Sequence, residues 1–182
     1  MAFRVLYDAN AVFGALQRNI LVRVGVAQAK FNLRVLLTER ILDEMISHVS
    51  KKYPDFTDRQ GSSLKRAMIS AIPDCLVTGF DYAAEAAEMA DPDDRHVLAA
   101  AIHADVQIIV TDDRHFTSEV LEPHGIDKQS PDDFLTDLFD LDQTAMRQLV
   151  SDEAAARGIA FDQVVELLEK RGMIRLAQHL RR

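Results

Sequence analysis

The run VQIIVT (Val106 to Thr111) leaves its backbone few choices. Nearly all of its side chains branch at Cβ, which stiffens χ1 and favours an extended chain. Asp105 before it and DDRH after it mark its ends. Three other runs read in the same way: FRVLY (Phe3 to Tyr7), LRVLLT (Leu33 to Thr38) and CLVTGF (Cys75 to Phe80). Between them the apolar spacing changes to that of helices. Val12, Leu16, Ile20, Val24 and Ala27 predict a helix from Ala11 to about Lys30, and Ile41, Met45 and Val49 share a face of ERILDEMISHVSKKY. LKRAMISAI, the alanine-rich DYAAEAAEMA and the stretch from Asp91 to about Ala104 continue the alternation. After a turn near Gly125, SPDDFLTDLF opens a helix with Ser130 as N-cap and Pro131 at its first position. Strands alternating with helices define an α/β class with a mainly parallel sheet. From Leu141 to Arg182 only helices are expected (145–156, 161–170 and 174–180), broken at Gly158 and Gly172. The chain therefore divides into residues 1–140 and a helical C-terminal extension, 141–182.

With 48% hydrophobic residues the 182-residue chain has material for a sizeable core. Its single cysteine, Cys75, excludes an internal disulfide framework and any paired-cysteine zinc motif, and fits a reducing, cytoplasmic setting. Neither a signal-peptide core nor a membrane-length apolar run occurs, so no membrane partner is expected. The net charge of −8 is polarised. Residues 1–66 hold 11 Lys/Arg against 6 Asp/Glu, and residues 67–182 hold 10 against 23. A basic first part can meet phosphates, and an acidic second part can hold cations.

In an open parallel sheet, sites form beyond the carboxyl ends of the strands. FRVLY ends at Asp8, and VQIIVT at Asp112 and Asp113. In DPDDRHVLAAA, Asp91 and Pro92 suit the start of a helix, and Asp93 and Asp94 complement its dipole. Asp94 shares a helical face with Val97, Leu98 and Ala101, which places it toward the sheet rim. Asp93 is turned about 100° away. Glu44 lies mid-helix with Ile41, Met45 and His48 on its face, whereas Glu39 and Asp43 are competing acids on the same helix. Carboxylates gathered at one rim repel one another and call for hard divalent ions such as Mg²⁺ or Mn²⁺. Such ions support hydrolysis of a phosphodiester by water. Each acid alone also has an ordinary reading as a cap, turn or surface residue; their joint placement is what points to a site.

Gly-rich nucleotide cradles and the GxSxG elbow are absent. His96, His103, His115 and His124 form no metal-binding HExxH pattern and read as surface or structural residues, although His115 stands near the proposed site in DDRHF. Two other readings stay open. The protein could act through an apolar groove that binds a partner helix. It could also be a phosphomonoesterase, a chemistry that wants a second acid where Asn10 stands.

The ordered set LYDAN, Glu44, DPDDRHVLAAAIHADVQIIVTDDRHF and GIDKQSPDDFL resembles the PIN domain, most of all the bacterial branch that includes VapC-type toxins. The resemblance covers about residues 1–140. It implies a three-layer α/β/α sandwich with a mainly parallel central sheet, and a Mg²⁺- or Mn²⁺-dependent endoribonuclease. It implies catalytic roles for Asp8, Glu44, Asp94 and Asp113, with Asp8, Asp94 and Asp113 holding metal. Asn10 and Thr111 would support them, and Asp112 is a near alternative to Asp113. Arg18, Arg23, Lys30, Arg34, Lys51 and Lys52 are candidates for RNA contact. The partners implied are RNA and a cognate antitoxin, with a homodimer left open.

Overall fold

The computed structural model describes residues 2–81, 89 and 91–182. Strands β1 (Phe3–Tyr7), β2 (Leu33–Leu36), β3 (Ile108–Val110) and β4 (Asp127–Gln129) form one sheet in the order β2–β1–β3–β4. Every pairing is parallel. Parallel neighbours need long crossovers, and the helices that supply them cover the sheet. β1 is central, and Val5, Leu6 and Tyr7 are fully buried.

Helix α1 (Ala15–Val26) follows β1, and α2 (Glu39–Lys52) and α3 (Asp58–Ala71) follow β2. Thr38 caps α2 by accepting from the Ile41 N–H at 3.0 Å. Thr57 and Gln60 cap α3 reciprocally. Helix α4 (Arg95–His103) leads into β3, the short α5 (Ser118–Leu121) precedes β4, and α6 (Pro131–Leu141) follows it. Ser130 caps α6 with Pro131 at its first position. Three further helices complete the chain: α7 (Gln143–Arg157), α8 (Phe161–Lys170) and α9 (Ile174–Leu180).

Several local expectations are revised. The helix expected from Ala11 begins at Ala15, because Ala11 and Val12 first close a turn by donating to the Asp8 carbonyl. CLVTGF does not form a strand. It contributes one parallel bridge, Leu37 to Leu76, made by the Leu37 N–H to Cys75 O (2.7 Å) and the Val77 N–H to Leu37 O (2.9 Å). The helix expected over DYAAEAAEMA lies, apart from Asp81 and Met89, outside the described residues. β4 went unanticipated because its residues, DKQ, are polar: an edge strand has one neighbour and keeps its side chains wet. The helix expected from Asp91 starts at Arg95, with Asp94 at the N-cap position.

The last helices pack on the rest of the chain. Val164, Leu168, Leu176 and Leu180 are buried in the same apolar cluster as the sheet residues. The Asp132 carboxylate of α6 accepts from the N–H groups of Arg175 and Leu176, both at 2.9 Å, at the start of α9. Glu153 of α7, 1% exposed, accepts from Asn19 (2.9 Å) and Arg23 (3.1 Å) of α1 and from Arg157 (2.5 Å). No described helix is long and apolar enough to cross a membrane.

Candidate acidic site at the carboxyl ends of the central strands

The register of β1 on β3 pairs Tyr7 with Val110, so the next residues, Asp8 and Thr111, leave the sheet side by side. The Asp8 N–H donates to Val110 O at 3.1 Å. The Asp8 carboxylate, 5% exposed, accepts from the Ala9 N–H (2.6 Å), Asn10 Nδ2 (2.7 Å) and Thr111 Oγ1 (2.7 Å). Asn10 Nδ2 also donates to Thr111 Oγ1 at 2.8 Å, and Asn10 Oδ1 accepts from the Asp112 N–H at 3.1 Å. Asn10 and Thr111 thus tie the ends of two strands together and fix one carboxylate between them. Neither Asp8 nor Asn10 caps α1, whose N-cap is Gly14.

The Asp94 side chain accepts no cap bond, which leaves its carboxylate free of its own helix. Asp91 instead closes the preceding turn, accepting from the Asp93 N–H at 2.9 Å, and Asp93 is exposed. His115 Nδ1 is the meeting point of three acids: Asp94 at 3.1 Å, Asp113 at 3.3 Å and Asp91 at 3.5 Å. Ligand atoms of Asp91, Asp94 and His115 lie within 4.8 Å of one another. Asp113 is held by its own turn: its N–H donates to Thr111 Oγ1 (3.0 Å) and its carboxylate accepts from the His115 N–H (2.8 Å). Asp112 is exposed, and its charged neighbours are Lys128, Asp132 and Asp133 rather than the cluster.

Glu44 is bound to a buried histidine. His96 Nε2 donates to its carboxylate at 2.9 and 3.0 Å, and Arg40 Nε donates at 3.1 Å. The competing acids are engaged elsewhere, since Glu39 and Asp43 both pair with Lys65 of α3, at 3.2 and 2.7 Å. His96 is 1% exposed and its Nδ1 has no partner among the described residues. Sequence reasoning passed over His96 because its partner is 52 residues away and nothing local marks the pair. His115 was noted for its place in DDRHF, but its contacts to Asp91 and Asp94 were not foreseen.

The electrostatics follow from this packing. Burial raises the Asp8 carboxyl above its usual range, against the hydrogen bonds from Thr111 and Ala9 and the charge of His96; Asp113 adds to the rise. Burial, with the charges of Asp113, Asp91 and Asp8, pushes Asp94 up to about 6 despite the bond from His115. Burial would raise Glu44 too, but His96 and Arg40 together hold it below the usual carboxylate range. Burial also raises Asp112. Burial first, and the neighbouring acids second, keep Asp8 and Asp94 from ionising readily, and their donors are hard oxygens. Oxygen donors of this kind suit a hard divalent ion, and among the described residues the group whose ligand atoms lie close enough together to share one is Asp91, Asp94 and His115.

The basic residues separate into distinct settings. Arg18 is buried, and its guanidinium donates to the carbonyls of Val12 (3.2 Å) and Phe13 (3.0 Å), out of reach of a phosphate in solvent. Arg23 is engaged with Glu153. Lys30 lines a 590 Å³ apolar groove with Phe3, Leu33 and Ile108, at the opposite ends of the strands from the acids. Arg34 is exposed on β2. Lys51 and Lys52 are exposed at the end of α2, the helix that carries Glu44.

A parallel sheet with acids gathered at the carboxyl ends of its central strands defines the class of protein. A family profile described as the PIN domain matches residues 4–115, and the chain belongs to that family. Among curated proteins it is 43% identical, over 58 residues, to "Putative ribonuclease VapC50" of Mycobacterium tuberculosis (strain ATCC 25618 / H37Rv). That stretch is 31% of this chain and 34% of the relative, so the similarity spans about a third of the relative's length. No solved structure matches significantly.

Proposed function

We propose that the protein is a metal-dependent endoribonuclease that hydrolyses RNA phosphodiesters, and that it is the toxin of a toxin–antitoxin pair. The convergence of Asp8, Asp94 and Asp113 at one rim, with Asp8 and Asp94 held above their usual pKa range, carries the reading. Membership of the PIN family and likeness to a relative named a ribonuclease support it.

Asp8, Asp94 and Asp113 would hold Mg²⁺ or Mn²⁺, which when bound supplies an activated water and stabilises charge on the phosphodiester. Asn10 and Thr111 orient Asp8 through their bonds to its Oδ2. Glu44, held below the usual carboxylate range by His96 and Arg40, would be the group that accepts a proton from an attacking water. Arg34, Lys51 and Lys52 remain candidates for the RNA backbone. The phosphomonoesterase reading loses ground because Asn10 fills the second position with an amide that bridges Asp8 and Thr111.

An antitoxin would have the apolar groove at the other ends of the strands to occupy, where Phe3 is 42% and Leu141 66% exposed. The decisive assay is cleavage of single-stranded RNA with Mg²⁺ or Mn²⁺ by Asp8→Asn and Asp94→Asn. Each is expected to lose at least about a hundredfold in rate, a loss typical of removing a group that stabilises transition-state charge. Undiminished cleavage by either purified variant refutes the site.

A further inference from the structure

Glu44, His48, Lys51 and Lys52 fall on one face of α2, spaced by about four and seven residues, so this face leads away from the acids over roughly 12 Å. Its far end carries aromatic rings. Lys52 Nζ lies 5.1 Å from the centroid of the Phe13 ring and 5.8 Å from that of Tyr53. Phe13 also meets the His48 ring edge-on at 6.4 Å. Tyr53 is 53% exposed, one of few large apolar side chains left in solvent. Phe13 stands five residues after Asp8, in the turn that leaves the site, and buried Arg18 fixes that turn by donating to the Val12 and Phe13 carbonyls. Lys51 and Lys52 have no carboxylate partner among the described residues.

Rings held beside unpaired cations, on the same helix face as a site acid, have the makings of a single-strand subsite. Unpaired bases stack on aromatic faces whatever their identity, while cations follow the backbone. We propose that Phe13 and Tyr53 form a stacking platform for unpaired bases of the RNA strand that passes the acidic site, with Lys52 moving from the rings to the RNA backbone. A surface contact between a cation and a ring is weak enough to be exchanged for a phosphate. Bases paired in a duplex keep their faces covered, so the platform selects single strands. The proposal rests on the ribonuclease reading and adds to it the residues that choose the strand.

The test uses the full chain in EDTA, which stops metal-dependent cleavage. Binding is measured to an oligouridine of about 12 nucleotides, to an abasic ribose-phosphate chain of equal length, and to an RNA duplex. Tyr53→Ser and Phe13→Leu are each expected to weaken oligouridine binding about fivefold or more, with the salt slope unchanged and abasic binding unaffected. Lys52→Gln is expected to reduce the salt slope by about 0.7. Phe13→Leu keeps the apolar packing, and the exposed Tyr53→Ser carries the test if Phe13→Leu unfolds. Oligouridine binding equal to wild type in Tyr53→Ser, or an equal loss on the abasic chain, overturns the platform. If wild type neither binds nor cleaves RNA, the ribonuclease reading fails and takes the platform with it. If cleavage needs Asp8 while Tyr53→Ser keeps the wild-type KM, the platform alone falls.

Discussion

Thr111 has no charge, yet its hydroxyl touches three parts of the acidic site. It donates to Asp8, and accepts from Asn10 and from the Asp113 N–H, while fully buried. Thr111→Val keeps the shape and strands those partners, so a loss of about 1–3 kcal/mol in urea unfolding is expected, with Thr111→Ser close to wild type. Asp94 gives a prediction of the opposite sense. Its pKa rises from 3.8 to about 6 on folding, so between those values the folded chain keeps a proton that the unfolded chain releases. Stability then falls as pH rises through that window. In EDTA, Asp94→Asn should gain on wild type from pH about 4 to about 6 and hold the gain above it, as read by thermal unfolding across pH. Added Mg²⁺ or Mn²⁺ should stabilise wild type and narrow the difference. The sequence set Asp94 apart from Asp93 by helical spacing, although the helix itself begins only at Arg95 and both acids lie ahead of it. It did not reveal His115 and His96 as the partners of Asp94 and Glu44, because those contacts join separate elements across the fold.

At the scale of elements, legibility tracked burial. β1 and β3 are apolar, central and easily read, whereas β4 is polar and exists because β3 offers it a free edge. CLVTGF has strand composition but meets β2 only at Leu37 and Leu76, where Cys75 and Val77 are buried around the bridge. Composition shows that a segment wants burial, not how long a neighbouring edge runs. The helices after Leu141 were read closely from their apolar spacing, but their attachment was not, since it depends on polar residues far apart. Glu153 neutralises two arginines, one on its own helix and one on α1. Glu153→Ala leaves Arg23 and Arg157 partly buried without their acid, and should cost about 3 kcal/mol. For a chain of this size that is a fall of about 6–12 °C in Tm by calorimetry, with Glu153→Gln losing less.

For the whole molecule, the charge polarity seen along the sequence does not map onto two faces in a simple way. Of the six basic candidates in the first part, Arg18 is interior and Arg23 is engaged by α7, whereas Arg34, Lys51 and Lys52 are exposed on β2 and α2 and Lys30 lines the apolar groove. The acids of the second part gather at the strand ends only because β1 and β3 are neighbours. That adjacency has a kinetic side. Thr111 and Asp8 are separated by 103 positions in the chain yet share a hydrogen bond. Bringing such distant segments together costs chain entropy before any contact returns it, which slows folds dominated by remote pairing. The part of the site that includes Asp8 cannot form ahead of the β1–β3 pairing, because Asp8 comes from one side of that closure and Asp94, Asp113 and His115 from the other. In a refolding experiment the recovery of metal-ion binding that depends on Asp8 should therefore follow the slowest phase of sheet formation.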